Sequence, residues 1–145
     1  MTLRLIMLLV VLASCGQSIV GGEQGSPLLI VAGLRDTYQF PQLVDFRVEN
    51  RSSTPVLVTC GVEGLINGSW TEVTNDVTAL VSSKVARGIS IDPHEEASLQ
   101  WNPWGAQSPS FNYAEAFRVR VDVHDPPGSR PSLSVQFALK RIGGY

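Results

Sequence analysis

Little in this chain suggests catalysis, and no apolar run beyond its first thirteen residues approaches membrane-spanning length. The 145 residues hold 2 histidines and 2 cysteines. A zinc site needs three or four convergent ligands at short local spacings, and neither His94 nor His124 belongs to such a cluster. His94 is followed by Glu95 and Glu96, but the second histidine of a helical His-Glu-x-x-His pattern is missing. No Gly-x-Ser-x-Gly elbow is present for a nucleophilic serine. No glycine-rich loop joins a strand to a helix to cradle phosphates. The charge is low and balanced, 11 basic against 13 acidic side chains with a net of −2. Such a chain has no electrostatic reason to attract nucleic acid or an anionic bilayer. Neither a cofactor nor a metal is expected.

What is present begins at the N-terminus. Arg4 precedes an unbroken apolar stretch from Leu5 to Ala13, within the roughly 7 to 15 residues of a signal-peptide core. It is too short to cross a bilayer, which takes about 20 apolar residues. Leu12-Ala13-Ser14-Cys15 closes this stretch and resembles the lipobox of bacterial lipoproteins. The resemblance implies removal of residues 1–14, diacylglycerol on the Cys15 thiol and usually an acylated new amino terminus. It also implies a place in the cell envelope, lipid-anchored to a membrane, with the domain facing the periplasm or the exterior. In lipoproteins of two-membrane bacteria an aspartate after the cysteine commonly signals inner-membrane retention. Gly16 stands there in this chain, which favours the outer membrane where one exists.

Processing at that point removes Arg4 and moves the net charge from −2 to −3. It also leaves Cys60 without an intramolecular partner, so the fold must rest on its apolar core rather than on disulfides. Cys60, in the run Val56-Leu57-Val58-Thr59-Cys60, reads as a small buried apolar residue. A reactive thiol is the other reading, although no neighbouring His, Lys or Arg would lower its pKa. Residues 16–26 are glycine-rich and polar, with Ile19 and Val20 as their apolar members. They are expected to form a flexible tether on the order of 18 Å long. The expected organisation is therefore a signal segment over 1–14, a lipidated cysteine and tether over 15–26, and one domain over 27–145.

The domain is patterned for β-structure. Pro27 to Gly33 begins the apolar patterning of a first strand. Val44, Phe46 and Val48 alternate with Asp45, Arg47 and Glu49, the period of a strand with one dry face. Asn50 to Pro55 is rich in turn residues, and with the apolar run 56–60 the pattern predicts a hairpin. Asn67-Gly68 predicts a tight hairpin turn. Residues 77–87 fit a helix face or a strand equally. Residues 88–93 and 97–101 predict two short strands around a polar turn at 94–96. Phe117, Val119, Val121 and Val123 give the cleanest alternation, repeated over 133–139, so 117–139 predicts a second hairpin with a long loop. Repeated short strands with turns every ten residues or so indicate an antiparallel sandwich of about seven or eight strands.

Phe46-Arg47-Val48-Glu49-Asn50, Pro55-Val56-Leu57-Val58, Gly68-Ser69-Trp70 and Ile91-Asp92-Pro93 before Leu99 and Trp101 together resemble an immunoglobulin-like bacterial module. The nearest pattern is the small intracellular-proteinase-inhibitor domain of bacilli, over residues 43 to about 139. The chain departs from it at His94, where a glycine is usual, and at Gly61 to Gly64, where an aromatic segment is usual. The resemblance implies the fold; inhibition of a protease follows from family analogy alone.

One loop has a marked character. Trp101-Asn102-Pro103-Trp104-Gly105 sets two tryptophans around a proline, and loops on a rigid sandwich are where binding surfaces usually lie. Exposed there, Trp101 and Trp104 could stack on a sugar or anchor a partner; otherwise they plug and cap the core. Asn50-Arg51-Ser52 and Asn67-Gly68-Ser69 match a glycan-acceptor pattern but read more simply as turns. The sequence thus favours a nonenzymatic, membrane-anchored lipoprotein whose sandwich binds an envelope protein or a glycan through its end loops. The enzymatic alternative is a hydrolase, in which at least two of His94, Glu95, Glu96, Asp122, His124 and Asp125 would have to converge.

Overall fold

The computed structural model describes residues 19–21, 27–74, 76–80, 84–85, 88–105, 111, 113–124 and 132–141. Twelve strands follow in order: β1 (Ile19–Gly21), β2 (Pro27–Ala32), β3 (Thr37–Phe40), β4 (Val44–Asn50), β5 (Val56–Ile66), β6 (Ser69–Thr74), β7 (Val77–Ala79), β8 (Lys84–Val85), β9 (Ile89–Ile91), β10 (Glu96–Trp101), β11 (Phe117–Val123) and β12 (Ser132–Arg141). They form two six-stranded sheets. The first runs β1-β2-β4-β10-β7-β8, and the second runs β3-β12-β11-β5-β6 with β9 also on β5.

Alternation sorts each strand between core and solvent. Val44, Phe46 and Val48 of β4 and Phe117, Val119, Val121 and Val123 of β11 all point inward and are buried. With Val58, Cys60, Val62, Leu99, Trp101 and Phe137 they form one continuous core. Complete burial of a Val or Phe side chain contributes about 1.5 to 3 kcal/mol, and a core built this way has no need of a disulfide. Residues 117–139 pair as the expected hairpin, with Phe117 opposite Phe137 and Val121 opposite Leu133. Its connecting residues 125–131 lie outside those described. Asn67 and Gly68, at φ of 50° and 77°, make the tight turn between β5 and β6, two left-handed residues of the kind such hairpins demand.

Several expectations are corrected. Strands β4 and β5 are not a hairpin: β4 pairs with β2 and β10, whereas β5 pairs with β11, β6 and β9. Alternation specifies which face of a strand is dry, not which sheet receives it, and both sheets need an inward apolar face. The same holds for β9 and β10, which flank the polar turn at 92–95 but belong to opposite sheets. The sandwich is not wholly antiparallel, because β3 lies parallel to β12, with Thr37 opposite Ala138 and Phe40 opposite Arg141. The strand count among the described residues exceeds seven or eight because β1, β3, β7 and β8 have only two to four residues each, too short for periodicity to single out. Residues 77–79 and 84–85 resolve the open choice over 77–87 in favour of strands. Within the expected tether, Ile19–Gly21 pair with β2; Ile19 and Val20 are the apolar members of that segment, and the rest of it lies outside the described residues.

Candidate functional site

The two ends of the sandwich differ in chemistry. At one end the chain crosses between sheets twice, from β4 to β5 and from β9 to β10. The buried side chain of Asn50 links the crossings. The two N–H groups of its Nδ2 are shared among the carbonyl oxygens of Thr54 at 2.8 Å, Ile91 at 2.9 Å and Asp92 at 3.1 Å. Its Oδ1 accepts from the Ser52 amide at 2.9 Å and the Ser52 hydroxyl at 2.7 Å. The Asn50 amide donates to the Glu95 carbonyl at 2.9 Å. A turn residue on sequence reading, Asn50 is a buried polar tie whose every capacity is used.

Outside this tie lies an open depression of about 410 Å³ lined by Glu49, Asn50, Arg51, His94, Glu95 and Glu96. His94, Glu95 and Glu96, three of the groups considered for catalysis, therefore share one concave surface. Glu49 is held by Arg51 at 3.0 Å and Glu96 by Arg47 at 3.5 Å, and His94, Glu95 and Glu96 are exposed. The other groups stand apart from them. Asp122 accepts from Arg120 Nε at 2.9 Å, and His124 Nε2 lies 2.8 Å from the Thr59 hydroxyl. Asp125 lies outside the described residues. No group of three or more His, Cys, Asp or Glu side chains suited to a metal ion occurs among the described residues.

The opposite end is aromatic. Trp101, at the end of β10, is 1% exposed and its ring lies 6.2 Å from Phe111, 5.9 Å from Phe117 and 6.1 Å from Phe137. From Phe111 the stack continues outward to Phe40 at 5.8 Å and from Phe40 to Trp104 at 5.2 Å. Trp104 is 64% exposed. The two tryptophans of one short loop thus have different places: Trp101 is a core residue out of reach of any partner, and Trp104 is the solvent end of the column.

Local hydrogen bonds hold both loops of this end. Trp104 sits in a single 3-10 turn, Pro103–Gly105, and its amide donates to Asn102 Oδ1 at 3.0 Å. The Gln42 amide donates to the Gln39 carbonyl at 2.6 Å, and the Gln39 amide donates to Gln42 Oε1 at 3.3 Å. Behind them, Tyr38 fixes β3: its hydroxyl accepts from the Arg35 amide at 3.0 Å and donates to the Asp45 carbonyl at 3.2 Å, while its ring meets Phe137 edge-on at 5.7 Å. Burial pushes the Tyr38 hydroxyl pKa up. Leu43 and Tyr113 are also exposed, at 40% and 74%.

Two further residues lie away from both ends: Cys60, buried as its apolar run predicts, and Glu63, which sequence reading missed. Cys60 is buried in the core, and burial, with a smaller contribution from Asp122, pushes its thiol up to about 12; such a thiol is not a nucleophile. Glu63, 6% exposed on the outer face of β5, is clasped by Arg118 and Arg120, and the Arg118 guanidinium lies 4.4 Å over the Trp70 ring. Strand alternation marks position 63 as outward but carries no sign that its neighbours would cover it. Cys15 lies outside the described residues.

No family model matches this chain, and no curated protein matches it either. Solved structures do. The periplasmic chaperone SfaE aligns with a TM-score of 0.53 at 15% identity, over 79% of this chain and 57% of the chaperone. The SafA pilin–SafB chaperone complex of Salmonella enterica aligns at 0.49 and 13%, over 80% and 56%. A PapD-like domain of human CEP192 aligns at 0.45 and 12%, over 87% and 95%. The chain spans little more than half the length of the first two, and at such identities the likeness concerns architecture alone. The protein carries an immunoglobulin-like β-sandwich.

Proposed function

We propose that this protein is a nonenzymatic binding module of the bacterial cell envelope, lipid-anchored through Cys15, that engages an envelope protein or a glycan through its aromatic end. The observation that carries the reading is Trp104, 64% exposed yet backed by Phe40 and held by Asn102. A large apolar side chain kept in water on a locked loop gains its free energy only when something covers it, and Trp is the residue type most enriched among binding hot spots. The lipobox-like leader supports the location. The fold shared with SfaE, a periplasmic chaperone, fits an envelope setting and a binding role without naming a ligand. The open, arginine-compensated depression at the other end gives the hydrolase alternative little support, and no residue geometry favours protease inhibition.

The test has two arms. A photoreactive amino acid at exposed position 43, with Trp104 intact, is expected in intact cells to yield a discrete crosslinked species that the same probe at exposed Glu95 does not. Labelled palmitate is expected to enter the wild-type chain and not Cys15→Ala. Palmitate incorporation unaffected by Cys15→Ala would remove the anchor, and identical crosslinks from both positions would remove the aromatic end as the binding surface.

A further inference from the structure

Resting on the Cys15 anchor and the aromatic surface of that reading, we propose that the partner is a protein embedded in the same membrane as the anchor, met by the aromatic end at the bilayer surface. The direction of β1 is the first argument. β1 pairs antiparallel with β2, Ile19 opposite Ile30 and Gly21 opposite Pro27. β2 pairs with β4, Leu29 opposite Asn50 and Ala32 opposite Arg47, and β4 pairs with β10, Val44 opposite Trp101. Asn50 marks the crossing end and Trp101 the aromatic end, so the chain enters β1 from the side of the aromatic end. Cys15 precedes Ile19 by four residues, a span of at most about 14 Å.

Length is the second argument. A free tether over residues 16–26 would let the domain stand clear of the headgroups, but the pairing of Ile19 leaves residues 16–18 alone between a lipidated Cys15 and the first strand. A headgroup layer is about 5 to 7 Å deep, from roughly 40 to 45 Å of bilayer around a 30 Å hydrocarbon core. Ile19 is therefore held within roughly 10 Å of the membrane surface, with the entry side of β1 turned toward it. A folded soluble protein is far thicker than such a gap, whereas a membrane-embedded protein already presents its surface there. Charge is the third argument. Around exposed Leu43 and Trp104, this end carries exposed groups of both signs: Arg35 and Asp36 before β3, Glu115 before β11, and Lys140 opposite Gln39. Arg141 follows opposite Phe40. Adsorption to bare lipid grows with apolar area and with attraction to anionic headgroups, and acidic groups among the basic ones work against it. An apolar centre with a polar rim is the anatomy of a protein interface, and a rim of both signs fixes the register of a partner.

The experiment places the photoreactive amino acid at position 43 of the full chain in intact cells and identifies the crosslinked peptide by mass spectrometry. The expected product joins position 43 to a membrane protein, at a segment flanking one of its spans. A rigid helical spacer of about thirty residues inserted between Ser18 and Ile19, which lifts the domain by about 45 Å, is expected to lower the yield at least tenfold. A flexible glycine-serine spacer of the same length, which can fold back, is expected to keep most of it. Palmitate labelling and the thermal midpoint are expected to be the same in all three chains. A crosslink to lipid, to a glycan or to a soluble protein, or a yield that the two spacers change alike, overturns the membrane-embedded partner. A crosslink to a glycan or a soluble protein leaves the aromatic end standing as a binding surface. No product at position 43 beyond that at Glu95 overturns the surface and this assignment together, and palmitate that still enters Cys15→Ala removes the anchor on which both rest.

Discussion

The two ends of the sandwich show two ways of closing the same architecture. The crossing end is closed by one buried polar side chain: Asn50 satisfies three carbonyls and accepts two donors, and charged groups spread over it in water. The other end is closed by packed rings from Phe117 through Trp101, Phe111 and Phe40 to Trp104. Hydrogen bonds have direction, so the first end is specified by geometry. Ring packing has no natural stopping point at the surface, so the second end terminates in an exposed indole. The end held by nondirectional contacts is the one that leaves a large apolar side chain in water.

The largest expected effect separates the two tryptophans of the aromatic end. Trp101→Ala removes a fully enclosed ring and should cost about 4 kcal/mol of stability, measured by urea denaturation. Trp104→Ala should cost under about 1 kcal/mol in the same assay while abolishing crosslinking from that surface. If both cost the same, the column is a single structural unit and the comparison of ends loses its functional half.

Next comes Asn50→Ala, which leaves the buried Ile91 carbonyl without its side-chain donor and unties the Thr54 and Asp92 carbonyls from it. A loss of about 3 kcal/mol is expected from several broken bonds, each worth roughly 1 kcal/mol and more when a buried partner is stranded. Asn50→Asp should not rescue, because a carboxylate cannot donate to three carbonyls. A cost near zero would show that the crossings are held by strand pairing alone. The smallest effect belongs to the charges outside that tie. Glu96→Gln, which breaks the exposed pair with Arg47, should change stability by less than about 0.5 kcal/mol, and a larger loss would give the charged surface a structural role.

Much of this was legible in the sequence where one side of a strand is dry and the residues are β-branched or aromatic. β4, β11 and β12 stand out for that reason, as does the turn at Asn67-Gly68. What the pattern does not encode is assignment to a sheet, which misled the reading at 50–56. Gly61 and Gly64, where the chain departs from the immunoglobulin-like pattern, are part of β5. A Cβ on Gly64 would sit 2.8 Å from the Ala114 Cβ and 3.2 Å from Val73 Cγ2, so the glycine reports a close approach rather than a bend. Trp101 and Trp104 were singled out together, because composition marks a loop as aromatic without saying which ring points inward. Asn50 and Glu63 were missed as buried residues since their cover comes from segments far along the chain.

The parallel pairing of β3 with β12 places Thr37 beside Ala138, so closing that contact spans a loop of about a hundred residues, an ordering that is slow to achieve. Until the last strand is available, β3 has no partner and the second sheet lacks its outer layer. A chain threaded through a translocation channel from its N-terminus would therefore stay incomplete, and pliable, until its final residues emerged. Late closure of this kind predicts that removal of residues 132–141 leaves a species that proteases recognise as unfinished.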